Sequence, residues 1–159
     1  MSPINQFDPF DQFSTGPVNT ALATRNNIIA FQKVHIRVNL LNMRKVNFYT
    51  TEDGKCPIMD FLDSLSGKQA QKIAWVLRLI EELDIVPSTY LKKLVNTEEI
   101  WEVRIQVGNN IFRLLGFFDG DDLVVLNHGF QKKTQKTPKK EIKISEQRRK
   151  DYLLRKNHE

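Results

Sequence analysis

A chain of 159 residues, 40% of them hydrophobic, suits one ordinary domain with its own core. It holds no apolar run of the roughly 20 residues a membrane-spanning helix needs, and no charged-then-apolar leader opens it, so no membrane partner is expected. The net charge is only +5, yet Phe130 to Lys150 contains nine Lys/Arg and two Glu, a local +7 that exceeds the total. Such concentration points to a polyanionic partner, nucleic acid ahead of a membrane surface. Cys56, the single cysteine, cannot form an internal disulfide and lacks metal-ligand spacing. A reducing cytoplasm is the expected compartment, with no metal and no cofactor.

Residues 1–42 read differently from the rest. "FDPFDQFSTGPVN" mixes aromatics with turn formers and follows neither helical nor strand periodicity, and "NNIIAFQKVHIRVNLLN" offers at most one isolated element. This stretch is expected to be a poorly ordered extension, or to lie upstream of a true start at Met43; the working domain is 43–159.

Within that domain "KVNFYTT" (45–51) reads as a strand, with Val46 and Phe48 on one face and Tyr49 opposed. Pro57 fits a first helical position, and Ile58, Phe61, Leu62 and Leu65 follow at helical spacing. Ser66-Gly67 separates this short helix from a second one over about 68–83, striped by Ile73, Val76, Leu77, Ile80 and Leu83. Trp75, beside the stripe, reads as packing. The connection after it carries Lys92 and Lys93. Three strands follow, "IWEVRIQV" (100–107), "IFRLLGFF" (111–118) and "LVVLNHGF" (123–130), joined by short hairpin turns, so they form an antiparallel meander with the first strand at its edge. Thr137-Pro138 caps and starts a final basic helix. The fold class expected is α+β: an N-terminal strand, an αα-hairpin, a three-stranded meander and a C-terminal helix, the helices packed against one face of a single sheet.

Alternation along the strands gives this sheet a chemical polarity. Glu102 and Arg104 share a face. A two-residue hairpin after Val107 puts Arg113 opposite Arg104, whereas a longer loop would turn Arg113 away. The same logic at the second turn brings His128 into one row with the arginines, with Leu115, Phe117, Val124 and Leu126 forming the greasy end of that face. Arginines gathered with one carboxylate, one histidine and a lysine run suit phosphodiester chemistry on RNA. Arg104 and Arg113 can grip phosphate oxygens and offset charge developing in the transition state. Glu102 can take the 2′-hydroxyl proton, while His128 or a nearby lysine protonates the leaving 5′-oxygen. RNA supplies its own nucleophile, and the products expected are a 2′,3′-cyclic phosphate and a 5′-hydroxyl. The bland alternative is an exposed Glu–Arg pair worth about 0–1 kcal/mol.

Taken together, "LKKL…IWEVRI…FRLLGFF…LVVLNHGFQKKTQKTPKKEI…RRKDY" resembles the bacterial RelE/HigB toxins, in particular their phage-derived branch, over most of residues 46–152. The resemblance implies a RelE-like fold and the toxin of a two-component toxin–antitoxin module. Such a toxin cuts messenger RNA, usually on the translating ribosome, and is silenced by a small antitoxin with a helix-turn-helix DNA-binding domain. It implies catalytic positions at Glu102, Arg104 and Arg113 and basic contacts from Lys132 and Lys133 after the third strand. Lys92, Lys93, Lys136, Lys139 and Lys140 complete the expected RNA-binding set. The sequence departs from the pattern where some relatives have lysine in place of Glu102, and its one late tyrosine, Tyr152, reads as packing. Two other readings stay open: a ParE-like toxin that inhibits DNA gyrase, and a basic RNA-binding module without catalysis.

Overall fold

The strands hold alternating apolar residues and the two helical segments hold apolar stripes, and these faces find one another in the computed structural model, which describes residues 44–121, 123–134 and 136–158. The expectations for residues 1–42, and for a start at Met43, lie outside the described residues. Eight elements follow in order: β1 (Lys45–Phe48), α1 (Pro57–Asp63), α2 (Gly67–Glu82), β2 (Leu91–Lys93), β3 (Trp101–Val107), β4 (Asn110–Asp119), β5 (Leu123–Lys132) and α3 (Lys139–Lys156). The strands form one sheet in the order β1-β5-β4-β3-β2, with β1 parallel to β5 and every other pair antiparallel. No described helix is long and apolar enough to cross a membrane.

The helical hairpin forms as its sequence dictates. Pro57 opens α1. At the start of α2 the Gln69 side chain accepts the Ser66 N–H at 3.1 Å, satisfying one otherwise orphaned donor. Ile58 and Leu62 of α1 and Ile73, Val76, Leu77 and Ile80 of α2 are buried against Val46, Val103, Ile105, Phe112, Leu114, Val124 and Leu126. Trp75 packs edge-on against Tyr90, with centroids 5.8 Å apart, as expected of a packing residue. The far end of α2 is closed from outside: Arg44 donates to the carbonyls of Ile80, Leu83 and Asp84 at 2.8–3.0 Å, a cation placed where the helix dipole is negative.

Three expectations need correction. First, β3 is not an edge strand, because the connection carrying Lys92 and Lys93 is itself a strand that pairs with it. Second, the helices do not share one sheet face. The α1–α2 pair covers one side, while α3 covers the other, where Tyr152 packs with Tyr49, Phe117 and Val125. Third, Pro138 rather than Thr137 caps α3, and no side chain completes that cap.

The two hairpin turns differ. Val107 pairs with Asn110 across a two-residue loop whose first position, Gly108, has φ of 56°, a conformation that glycine reaches at little cost. Asp119 pairs with Leu123, so the second loop is one residue longer and reverses the facing of β5. Val124 and Leu126 therefore point at α1 and α2, not toward the greasy end of the α3 face. A bulge then reverses it again. Gly116 pairs with Leu126 and Leu115 with His128, leaving Asn127 as the extra residue. Its side chain exchanges hydrogen bonds with Ser145 of α3 (2.7 and 2.9 Å) in a buried contact.

Gly116 sits where β5 comes closest. A Cβ there would lie 2.3 Å from the Val125 carbonyl oxygen and 2.9 Å from a Leu126 methyl. Gly116→Ala is expected to force the bulge apart and destabilise the fold by about 1–3 kcal/mol, a loss to be read from urea unfolding midpoints.

Candidate active site

Like charges directly opposite on neighbouring strands repel, and β3 and β4 place Arg104 opposite Arg113. What offsets this is Glu102, one strand repeat away on the same face and only 1% exposed. Its Oε1 accepts a hydrogen bond from Arg104 Nε at 3.0 Å and lies 3.2 Å from Arg113 Nε. The second contact is an ion pair without hydrogen-bond alignment, and Arg113 Nε has no other partner. Thr137, on the strap between β5 and α3, donates to the other carboxylate oxygen. This strap therefore crosses the sheet from β5 to β3 and roofs the carboxylate.

Exposure grades the cluster. The Arg104 side chain is 32% exposed and that of Arg113 11%. Arg113 also donates to the Phe112 carbonyl at 2.7 Å, which fixes its guanidinium. Lys132, half-buried at the end of β5, belongs to the same group: burial lowers its pKa, Glu102 opposes that, and Arg113 and Arg104 add to it. Arg104, Arg113 and Lys132 against Glu102 leave a surplus of positive charge.

Burial alone would raise the pKa of Glu102, but the hydrogen bonds from Thr137 and Arg104 and the charges of Arg113 and Lys132 outweigh it and hold the carboxyl below its usual range. Burial lowers the pKa of Arg113, although Glu102 works against that; a guanidinium stays charged regardless.

The remaining expected residues distribute unevenly. His128 shares the face but pairs with Leu115, not with Arg113. It lies two strands from Glu102, on the order of 10 Å at normal strand spacing. Both ring nitrogens are occupied: Nε2 meets the Glu141 carboxylate and Nδ1 meets an Arg148 nitrogen at 3.1 Å. Burial lowers its pKa, Glu141 raises it and Arg148 lowers it again. The position opposite Arg113 belongs instead to Phe130. Lys92 pairs with Glu102 and so shares its face, whereas Lys93 pairs with Trp101, faces the other way and holds Glu99 at 2.7 Å. Lys133, Lys136, Lys139 and Lys140 are exposed along the strap and the first turn of α3. Tyr152 stands off from the cluster, stacked edge-on with Phe117 and donating to Asp119.

Sequence reasoning missed Thr137 and Phe130. Thr137 read as a helix cap, and nothing local reveals that its hydroxyl reaches β3. Phe130 was hidden by the bulge, which displaces His128 from the row it was expected to fill.

The model of the family described as Phage derived protein Gp49-like (DUF891) matches residues 60–150, a span that contains every residue of the cluster. The chain belongs to the Gp49-like family. Gp49-like proteins are RelE/HigB-like toxins associated with toxin–antitoxin modules, and membership implies an antitoxin partner. No curated protein matches the chain. The mixed sheet and flanking helices are compatible with a RelE-like fold.

Because the folded pKa of Glu102 lies below that of the unfolded chain, its ionisation favours the folded state. That contribution is complete above the ordinary glutamate pKa of about 4.3 and drains away as pH falls through the lower folded value. Glu102→Gln is expected to lower stability near neutral pH by about 3 kcal/mol, since Arg113 loses its buried counter-charge. The same variant is expected to show a flatter loss of Tm below pH 5 than the wild type, measured by thermal melting across pH.

Proposed function

We propose that this Gp49-like chain is the toxin of a toxin–antitoxin module and acts as a messenger RNA endonuclease that needs no metal. The observation that carries this reading is the surplus positive charge around a buried carboxylate at one end of the sheet face that α3 leaves uncovered beyond Tyr49, Phe117 and Val125. A Glu–Arg pair at the surface would be decoration; here the acid is sealed in and three cations converge on it, two of them, Arg104 and Lys132, partly open to solvent.

In the reaction, Arg104 and Arg113 hold the non-bridging oxygens of the scissile phosphate, and their charge stabilises the phosphorane-like transition state more than the bound RNA. The ribose 2′-oxygen bonds to phosphorus as its proton passes to a solvent water, and the bond to the 5′-oxygen breaks as that oxygen takes up a proton. Lys132 is the best-suited donor to that leaving oxygen, since its pKa is lowered toward the working range and it is partly accessible. His128, with both nitrogens engaged, is a poor donor. Glu102, ionised and held by Arg104, Arg113 and Thr137, acts as the anchor that keeps the arginines in place rather than as the base. Lys92 and the exposed lysines of the strap, Lys133, Lys136, Lys139 and Lys140, contact neighbouring phosphates and steer the strand inward. The reading extends to RNA presented on the ribosome and to silencing by a helix-turn-helix antitoxin.

Primer extension on cellular mRNA after brief induction tests it. The wild type is expected to give discrete cuts and growth arrest, with a 5′-hydroxyl on the downstream fragment. Arg113→Lys, which keeps the charge but loses the fork, is expected to reduce cutting by about a hundredfold, and Lys132→Ala by a similar factor. Messages bearing a 2′-deoxy nucleotide at the cut site should survive. Intact RNA accompanied by a DNA-damage response would favour gyrase inhibition instead, and full cutting by Arg113→Lys would remove the arginine from the site.

A further inference from the structure

We propose that Phe130 is a platform on which one unpaired RNA base beside the scissile phosphate stacks, with His128 as a positioning residue that holds the ring from behind. The inference rests on the nuclease reading above and adds to it the part that grips the base.

Phe130 is anomalous among the aromatics. Phe48, Phe61, Trp75, Tyr90, Trp101, Phe112 and Phe118 belong to the core beneath α1 and α2, and Tyr49, Phe117 and Tyr152 to the smaller core beneath α3. Among the described residues Phe130 is the one aromatic in neither, and it is half-buried. A ring that serves no core and keeps contact with water is an unfavourable use of apolar surface unless something covers it.

Its neighbours are charged. Arg104, Arg113 and Phe130 form one row across β3, β4 and β5, so the backbone of Phe130 stands one strand spacing, about 5 Å, from that of the arginine expected to hold phosphate. Lys132, two residues further along β5, lies on the same face. A cationic groove beside an aromatic face is the arrangement that holds single-stranded nucleic acid, where stacking tolerates any base. An apolar peptide side chain would gain nothing from that ring of cations.

The platform is also held still. The His128 ring lies 5.8 Å from that of Phe130, with 24° between the planes. His128 is itself pinned at both nitrogens, by Glu141 and Arg148 of α3, and Arg148 is fixed in turn by the Asn127 carbonyl at 2.7 Å. Little rotamer freedom is therefore left to lose when a base arrives. This assigns His128 a role that does not require it to move a proton.

The test is single-turnover cleavage of a defined message, free or held on a ribosome, whichever the wild type cuts. It compares intact RNA with RNA made abasic at either nucleotide flanking the cut. Phe130→Leu is expected to slow cutting of intact RNA about tenfold and to make no further difference on one of the two abasic RNAs. Phe130→Trp is expected to retain wild-type rates on intact RNA, which guards against a leucine variant that merely folds poorly. His128→Ala should show a smaller loss that also disappears on the same abasic RNA. Wild-type rates in Phe130→Leu, or a loss that persists equally on both abasic RNAs, would overturn the platform while leaving the nuclease intact. A wild-type chain that cuts neither form of the message would instead remove the nuclease reading, and the platform with it.

Discussion

The structure turns on one buried carboxylate. An ionised glutamate inside a protein is costly unless it is paired and hydrogen-bonded. Glu102 is compensated from three sides, by Arg104 on its own strand, by Arg113 on the next and by Thr137 from the strap. Each of these needs the acid as much as it needs them. The two arginines oppose each other across the strands, and without a shared anion between them that pairing would be repulsive. The strap, for its part, is tied down at Thr137, and the lysines flanking it take their positions from that anchor. One carboxylate thus makes the opposed arginines of β3 and β4 tolerable and ties down the chain on its way into α3.

The second organising device is polar as well. α3 lacks the continuous apolar stripe expected of a surface helix, and among its described residues only Ser145 is fully buried. Side-chain ties from residues spaced along one helical face hold it instead: Glu141 to His128, Ser145 to Asn127, Arg148 to the Asn127 carbonyl, Asp151 to Tyr49, Tyr152 to Asp119 and Arg155 to the Thr50 carbonyl. The helix can therefore be rich in basic residues without losing its seat on the sheet. Hydrogen bonds of this kind demand particular partners, so they fix where the helix lies as well as how firmly.

Most of the architecture was legible in the sequence because it rests on periodicity. The stripe through Ile73, Val76, Leu77 and Ile80, the Pro57 start and the alternation of β3 are local patterns that need no knowledge of partners. Glu102, Arg104 and Arg113 came together as expected because the turn at Gly108 is as short as it reads. β2 was missed because three residues are too few to show alternation. The facing of β5 was harder still: a longer loop and a bulge at Asn127 each reverse it, and the two reversals cancel by His128. His128 thus reached the expected face for reasons the sequence does not disclose, while Val124 and Leu126, lying between the two irregularities, went to the other side. Thr137 and Phe130 owe their positions to contacts across the sheet, which no local pattern encodes.

The parallel pairing of β1 with β5 has a consequence for how the chain is made. Lys45 finds its partner only at Leu123, and Val46 at Val124, so the first strand emerges from synthesis long before anything can complete it. Closing so distant a pair is entropically demanding and slow. Thr137 and α3 arrive later still, and with them the roof over the carboxylate. A nascent chain therefore carries the arginines well before the cluster is finished, which must wait until Thr137 has been made.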